Sequence, residues 1–306
     1  MPDCVARRIA TPDGLSLYSE SFGPADGEPL LLIMGAMNQG LFWPDAFCRQ
    51  LAQAGLRVIR YDHRDTGASS LVDYRQTPYT LTELTQDALA VLDGYGIQRA
   101  HLLGMSMGGY IAQLLAANQP QRVGALLLLS TTADHRPYMA ATMGQDASVF
   151  DLPPPTAQFL DFITAAARNP PTTPAVARQL NLDGWRATHG GSLPFPADDI
   201  AALLQQAEAR CRDPAAAFHH APAVTNLPPR TALLANITAP TLVLHGEFDP
   251  CLPLAHARHL ARHIRGAQLR LLDMGHMLPP ALAPLLAQYV IAFIRSEPLT
   301  TQAGSH

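Results

Sequence analysis

The chain has 306 residues, of which 48% are hydrophobic and 15% are charged, and its formal net charge at pH 7 is −4. This length and apolar content allow one large α/β domain with an insertion, or two ordinary domains. Because no run of like charges stands out, we expect no nucleic-acid partner and no membrane-surface partner, and we expect a small molecule as ligand.

The first residues lack the apolar segment of a secretory signal, and the longest apolar runs, such as residues 30–37, are far shorter than a membrane span. The cysteines Cys4, Cys48, Cys211 and Cys251 have neither Cys-x-x-Cys nor zinc-ligand spacing. We therefore expect a soluble, cytoplasmic protein with free thiols. Cys251 is interpreted as a small apolar residue packed behind a loop.

Two strands joined by a turn open the chain, and strands then alternate with helices. Residues 11–14, Thr-Pro-Asp-Gly, are typical of a turn between antiparallel strands. Thr80 and Glu83 form the pattern of a capping box at the start of a helix. The predicted strands are residues 5–9, 15–20, 30–34, 57–62, 99–103 and 123–129, and the predicted helices are residues 43–54, 80–93 and 109–118. Such near-continuous apolar strands between helices predict a mostly parallel sheet covered on both faces.

Residues 134–236 interrupt this alternation and contain 13 of the chain's 27 prolines. Helical patterns cover residues 157–167 and 198–210, and no strand pattern is visible. We interpret the segment as a helical cap inserted into a core of residues 1–133 and 237–306, because its apolar content is too high for a disordered linker. Strand 241–245, helix 254–264, strand 268–272 and helix 282–294 follow, and the tail after residue 297 is expected to fray.

The stretch Gly104-Met105-Ser106-Met107-Gly108 lies between a predicted strand and a predicted helix. Glycines two positions on either side of a serine remove side chains that would clash in so tight a turn. A nucleophilic serine needs a base, and the base needs a carboxylate. Since such groups lie at the carboxyl ends of strands, Asp249 and His276 are the predicted acid and base.

Other residues compete for these roles. Glu247 and Asp134 are alternative acids at strand ends. His256, His259 and His263 share a helix face and resemble a metal site, but the face lacks a carboxylate or a ligand from another element. We expect an exposed basic face there, with no metal and no cofactor.

Acyl transfer also requires two backbone N–H groups aimed at the developing oxyanion. Met107, which follows the serine, is the first predicted donor. In the loop after strand 30–34, Gly35 allows the chain to turn close to the serine and Ala36 is the predicted second donor. Asn38 is a weaker alternative.

Methionines cluster around these loops, at positions 34, 37, 105, 107, 274 and 277. Either they fill the core or they form a pliable apolar pocket. We predict a substrate pocket that includes Met37, Met105, Met277 and Trp185. Aromatic side chains of the insertion, at positions 150, 159, 162 and 185, are expected to wall this pocket and to favour hydrophobic ligands.

The chain resembles the α/β-hydrolases, and within them the aclacinomycin methylesterase group. The resemblance rests on Leu32-Ile33-Met34-Gly35-Ala36, Tyr61-Asp62-His63-Arg64-Asp65-Thr66-Gly67, Gly104-Met105-Ser106-Met107-Gly108 and Met274-Gly275-His276. In the insertion, Trp185-Arg186, Pro194-Phe195 and Leu227-Pro228-Pro229-Arg230 are also similar.

This resemblance implies an α/β-hydrolase fold and cofactor-free hydrolysis of a carboxylic ester, with Ser106, Asp249 and His276 as catalytic triad. A methyl ester of an aromatic polyketide is one substrate among many. Acyl transfer to another acceptor, perhydrolysis and a non-catalytic small-molecule receptor are the alternatives. Haloalkane dehalogenases and epoxide hydrolases are disfavoured, because those relatives carry an aspartate where Ser106 stands.

Overall fold

The structure is a computed structural model that describes residues 4–225 and 227–296. Within these residues, one eight-stranded sheet has the strand order β1-β2-β4-β3-β5-β6-β7-β8. The strands are β1 (Cys4–Ala10), β2 (Ser16–Phe22), β3 (Glu28–Ile33), β4 (Leu56–Tyr61), β5 (Ala100–Met105), β6 (Val123–Leu129), β7 (Thr241–Gly246) and β8 (Gln268–Leu272).

Strand directions agree with the predicted sheet. β1 pairs antiparallel with β2, and β2 pairs antiparallel with β4. The remaining neighbours pair in parallel. Gly14, with φ of 85°, closes the turn between β1 and β2 by donating its N–H to the Thr11 carbonyl at 3.0 Å. The antiparallel opening and the mostly parallel sheet are therefore confirmed.

Helices connect the strands. They are α1 (Asp45–Gln53), α2 (Leu81–Gly94), α3 (Met107–Asn118), α4 (Arg136–Thr142), α5 (Ala157–Arg168), α6 (Pro174–Ala187), α7 (Ala197–Arg210), α8 (His220–Thr225), α9 (Thr231–Leu234), α10 (Ala255–His263) and α11 (Ala283–Ser296). The segment between β6 and β7 contains helices α4 to α9. Helices α5 and α7 correspond to the two helical patterns of the insertion. Helix α6 was not predicted, although Thr173 caps it and Pro174 occupies its first position.

Alternate side chains of the central strands enter two separate cores. Leu31 and Ile33 of β3 belong to the core beneath α2 and α3, whereas Leu30 and Leu32 belong to the core beneath α1 and α11. All four side chains are fully buried. Both faces of the sheet are thus covered, which explains why the central strands are apolar at nearly every position.

Helix α2 begins with the predicted capping box. The Thr80 hydroxyl accepts from the Thr82 N–H at 3.2 Å, and Glu83 accepts from the Thr80 N–H at 2.7 Å. Further along α2, the buried Asp87 accepts two hydrogen bonds from Arg64, both at 2.7 Å. This bidentate pair ties α2 to the loop that follows β4.

The four cysteines are free thiols. Across residues 4–225 and 227–296, no helix combines the length and apolar character needed to cross a bilayer. The expected frayed tail after residue 297 lies outside the described residues. The loops after β3, β5, β7 and β8 lie at the same end of the sheet, because these strands run in parallel.

Candidate active site

Ser106 occupies a tight turn between β5 and α3, with φ of 52° and ψ of −118°. Residues other than glycine rarely adopt this backbone conformation, and such backbone strain is concentrated at functional sites. A Cβ at Gly104 would lie 2.3 Å from the Gly108 carbonyl oxygen, and a Cβ at Gly108 would lie 2.0 Å from the Ile33 carbonyl oxygen. Glycine is therefore required at both positions. The Thr131 hydroxyl donates to the Ser106 carbonyl at 2.7 Å and helps to hold the turn.

Asp249 follows β7 and His276 follows β8, and the two side chains are hydrogen-bonded. The His276 Nδ1 and Asp249 Oδ2 atoms are 2.8 Å apart. Asp249 Oδ1 accepts the backbone N–H groups of Cys251 and Leu252 at 2.9 and 2.8 Å. Burial alone would raise the pKa of Asp249, but the charge and hydrogen bond of His276 hold it below its ordinary value. Asp249 is thus a buried carboxylate that orients the imidazole.

The two alternative acids have other positions. Glu247 is exposed to solvent. Asp134 forms a bidentate pair with Arg136 at 2.8 and 2.6 Å. Of the three carboxylates considered from the sequence, Asp249 is the one that accepts the His276 hydrogen bond.

The loop after β3 passes directly beside the serine. A Cβ at Gly35 would lie 3.3 Å from the Ser106 Cβ and 3.9 Å from its Oγ. Met107 is the first residue of α3, so its N–H has no acceptor within the helix. The side-chain amide of Asn38, the weaker alternative, donates to the Ala36 carbonyl within the same loop at 3.0 Å. Ala36 itself lines the same cavity as Ser106.

Ser106 and His276 open into a cavity of about 450 Å³. The predicted pocket residues Met37, Met105, Met277 and Trp185 all line it. Its wall also includes apolar and aromatic side chains, among them Met34, Met107, Tyr110, Tyr138, Met139, Phe159, Phe162, Ile163, Leu180 and Leu252. The site is therefore a largely apolar chamber with a serine and a histidine in its wall.

One pocket expectation was wrong, and it concerns Phe150. Met274 follows the core alternative that the sequence left open for the methionines, because it is fully buried beneath α11 and does not line the cavity. Phe150 also lies away from the cavity, where the Arg136 guanidinium stands 5.1 Å above its ring. In contrast, Trp185 stacks on Phe42 with ring centroids 5.0 Å apart, which holds its indole at the wall. Sequence spacing alone does not say which of several aromatic side chains faces a cavity.

A family model described as alpha/beta hydrolase fold matches residues 28–279. The chain belongs to the α/β-hydrolase family. Rhodomycin D methylesterase DnrP from Streptomyces peucetius is 39% identical over 297 residues, which cover 94% of this chain and 98% of that protein. These matches confirm the family predicted from the motifs. This α/β-hydrolase is an enzyme of the esterase type.

Solved structures give the same fold. A hydrolase from Pseudomonas aeruginosa PA01 superposes with a TM-score of 0.70 at 29% identity, covering 94% of this chain and 98% of the other. An esterase from Exiguobacterium antarcticum superposes with a TM-score of 0.74, covering 95% of this chain and 100% of the other. At 21% identity the second likeness concerns the fold alone.

The histidines of α10 form the expected exposed face only in part, since His263 is exposed and His259 is half-buried. His256 is buried, with Nδ1 2.8 Å from the Thr132 hydroxyl and Nε2 2.9 Å from the Pro153 carbonyl. The rings of His259 and His263 stack with centroids 4.0 Å apart. The expectation of an exposed basic face was therefore wrong for His256, whose two nitrogens are used within the protein.

Three possible metal ligands do meet beside the serine in the described part of the chain. Ligand atoms of Asp249, Cys251 and His276 lie within 4.8 Å of one another. However, the Asp249 oxygens already accept three hydrogen bonds, and burial raises the pKa of the Cys251 thiol well above its ordinary value. A protonated thiol is a poor ligand, so this arrangement suits an oriented imidazole better than a metal. Cys251 packs against Phe159 and also lines the cavity.

Several residues of this site were not predicted from the sequence. His135, Tyr138 and Met139 line the cavity, and the His135 and Tyr138 rings stack with centroids 4.8 Å apart. His220 contacts the loop beside Ser106, with its Nδ1 2.9 Å from the Met37 nitrogen. No local pattern marks these residues, because the insertion brings them to the site through tertiary packing.

Proposed function

We propose that this α/β-hydrolase is a serine carboxylic ester hydrolase that acts on a hydrophobic small-molecule ester through an acyl-enzyme. One observation carries the proposal: a serine in a strained turn and a histidine bonded to a buried carboxylate line the same apolar cavity. This combination is the one that activates a serine hydroxyl at neutral pH.

In the proposed reaction, the Ser106 hydroxyl attacks the ester carbonyl and His276 accepts its proton. Because the Asp249 carboxylate accepts from Nδ1, that nitrogen carries the hydrogen and Nε2 keeps its lone pair for Ser106. The N–H groups of Met107 and Ala36 stabilise the oxyanion, and the start of α3 adds the favourable field of a helix N-terminus. His276 then protonates the leaving alcohol, and a water that it activates cleaves the acyl-enzyme.

The substrate class is inferred from the cavity and from the relative of 39% identity, which is named a rhodomycin D methylesterase. A methyl ester of a bulky aromatic polyketide fits a cavity of about 450 Å³ with aromatic walls. Each methylene buried there should contribute about 0.8 kcal/mol, or roughly a fourfold gain in affinity. Charged esters should react poorly.

Active-site labelling tests the chemistry. A p-nitrophenyl phosphonate should add one phosphonyl group to the peptide that carries Ser106, and Ser106→Ala should lose both labelling and ester turnover by several orders of magnitude. Ser148, an exposed serine of the insertion, provides the matched control variant Ser148→Ala. Labelling at another residue, or near-native turnover by Ser106→Ala, would end the proposal.

Product analysis separates hydrolysis from the two reactions that share the acyl-enzyme. With an ester, water and either an added alcohol or hydrogen peroxide, a hydrolase should release mostly the free acid. Dominant transfer to the alcohol indicates an acyltransferase, and dominant peracid indicates a perhydrolase. Saturable ester binding without turnover indicates a receptor.

We further propose that residues 134–236 form a cap that selects the ester, while the remaining chain provides the chemistry. Trp185 of the insertion lines the cavity, whereas Phe150 of the same insertion does not. Trp185→Ala should therefore lower kcat/KM for bulky aromatic esters about tenfold relative to acetyl esters, and Phe150→Ala should leave the ranking unchanged. An unchanged ranking in Trp185→Ala would contradict the cap proposal.

A further inference from the structure

The segment Asp62-His63-Arg64-Asp65-Thr66-Gly67 is entirely buried, although none of its side chains takes part in the proposed reaction. It lies against the loop of residues 34–38, which carries Ala36. The His63 Nε2 atom is 2.9 Å from the Met34 carbonyl oxygen. Because a carbonyl can only accept, the His63 Nε2 atom donates, and this bond fixes the first half of the loop.

His220, the first residue of α8, fixes the second half of the loop. Its ring is fully buried, with Nε2 3.0 Å from the Arg64 carbonyl oxygen and Nδ1 2.9 Å from the Met37 nitrogen. The Arg64 carbonyl can only accept, so Nε2 carries the hydrogen. Nδ1 therefore has a lone pair and accepts the Met37 N–H, and the tautomer follows from the two partners alone.

Both histidines are neutral in this environment. Burial lowers the pKa of His63 to about 4 and that of His220 to about 3. The two rings meet edge to face, with centroids 5.6 Å apart and an interplanar angle of 89°. They thus form one packed unit that contacts the loop on each side of Ala36.

The loop needs such support because its backbone is strained. Met37 has φ of 65°, a conformation that costs energy for any residue other than glycine. The Met37 N–H bond to His220 and the Met34 carbonyl bond to His63 hold the peptides on either side of Ala36. The position of the Ala36 N–H relative to Ser106 therefore depends on a side chain that the insertion supplies.

We propose that His220 is a positioning residue for the oxyanion hole, acting through the Met37 peptide on the Ala36 N–H. The inference rests on the proposed esterase function. Complete loss of one oxyanion donor costs about 10²–10³ in kcat. A displaced donor should cost less, so we expect a 10- to 100-fold loss in kcat with KM changed by less than about threefold.

Two substitutions separate the two hydrogen bonds of His220. An asparagine oxygen can occupy the place of Nδ1 and still accept the Met37 N–H, whereas a glutamine amide can reach the place of Nε2 and donate to the Arg64 carbonyl. His220→Gln should therefore show the loss in kcat, whereas His220→Asn should keep most of the native kcat. His219→Gln is the matched control, because the His219 ring contacts Asp65 and Tyr74, whereas the His220 ring contacts the Met37 nitrogen.

The measurements are kcat and KM for a p-nitrophenyl ester, expressed per serine titrated with a phosphonate, and the affinity for a trifluoromethyl ketone. Normalising to titrated serine counts only folded, competent molecules. For His220→Gln we expect the affinity for the ketone to fall in proportion to kcat, because the ketone forms an oxyanion on Ser106. A purely structural role would lower the number of titrated sites and the stability without changing kcat per site.

The inference is overturned if His220→Gln matches His219→Gln in kcat per titrated serine. Should His220→Gln give no folded protein, His220→Leu, which lacks both hydrogen bonds, replaces it. A 10- to 100-fold loss in kcat in His220→Leu with His220→Asn near native supports the inference, and equal kcat values in the two variants overturn it. Absence of Ser106-dependent turnover in the native chain would instead end the proposed function. The two failures are therefore distinguishable.

Discussion

Replacing Asp249 by asparagine changes one atom group but should reverse the tautomer of His276. Asp249 Oδ1 accepts two backbone N–H groups, and Oδ2 faces His276 Nδ1. In Asp249→Asn the carbonyl oxygen remains the acceptor for the two N–H groups, so the new NH₂ faces His276. His276 must then accept with the Nδ1 lone pair and carry its hydrogen on Nε2. A protonated Nε2 has no lone pair and cannot accept the Ser106 proton.

The expected loss in kcat is about 10³–10⁴, because a wrongly held tautomer removes the base without removing the oxyanion donors. At 1.36 kcal/mol per tenfold, this corresponds to about 4–5.5 kcal/mol of transition-state stabilisation. KM should change little, since Asp249 is buried behind His276 and does not line the cavity. The fold should persist because both backbone hydrogen bonds retain their acceptor.

The assay is kcat per phosphonate-titrated serine for Asp249→Asn and for the matched control Glu247→Gln. Glu247 lies two residues earlier and is exposed, so its variant should remain near native. A loss below tenfold in Asp249→Asn, in folded protein, would refute the assignment of Asp249 as the acid. An equal loss in Glu247→Gln would point to the wrong carboxylate.

Three further predictions concern stability, each measured by urea unfolding. Burial lowers the pKa of His63 and His256 to about 4 and that of His135 and His220 to about 3. Between pH 7.5 and 5.5 the unfolded chain therefore binds protons that the folded chain does not bind, and the free energy of unfolding should fall by about 5 kcal/mol. A flat profile would contradict this. Gly108→Ala should lose about 3 kcal/mol by collision with the Ile33 carbonyl, whereas Gly184→Ala, with 3.8 Å to Phe162, should gain about 0.5–1 kcal/mol, and equal effects would refute the steric argument. Asp87→Asn should lose about 3 kcal/mol by removing the buried charge partner of Arg64, which is left with the half-exposed Asp13 at 3.1 Å. The exposed pair tested by Asp93→Asn should change stability by less than about 1 kcal/mol.

Local features of the chain were sufficient to predict the sheet and the order of its elements. The limits of β6 agree with the predicted strand at residues 123–129, since a nearly uninterrupted apolar run between turn residues marks a buried strand. The limits of β8 also agree with the predicted strand at residues 268–272, although this edge strand is mostly exposed. Glycines 104 and 108 likewise predicted the turn at Ser106, because their close contacts lie within the segments that form the turn and its neighbouring strand. Chain order also placed Asp249 and His276 after the last two strands.

Only tertiary packing determines which residues the side chains of the insertion and of α10 contact. His220 and the Met37 peptide are 183 residues apart in sequence, and His256 meets Pro153 across 103 residues. Met274 and Met277 are three residues apart, yet one enters the core and the other lines the cavity. Periodicity describes which residues share a face of one element, but the partner of that face depends on how distant segments pack, and this is why the local pattern could not assign them.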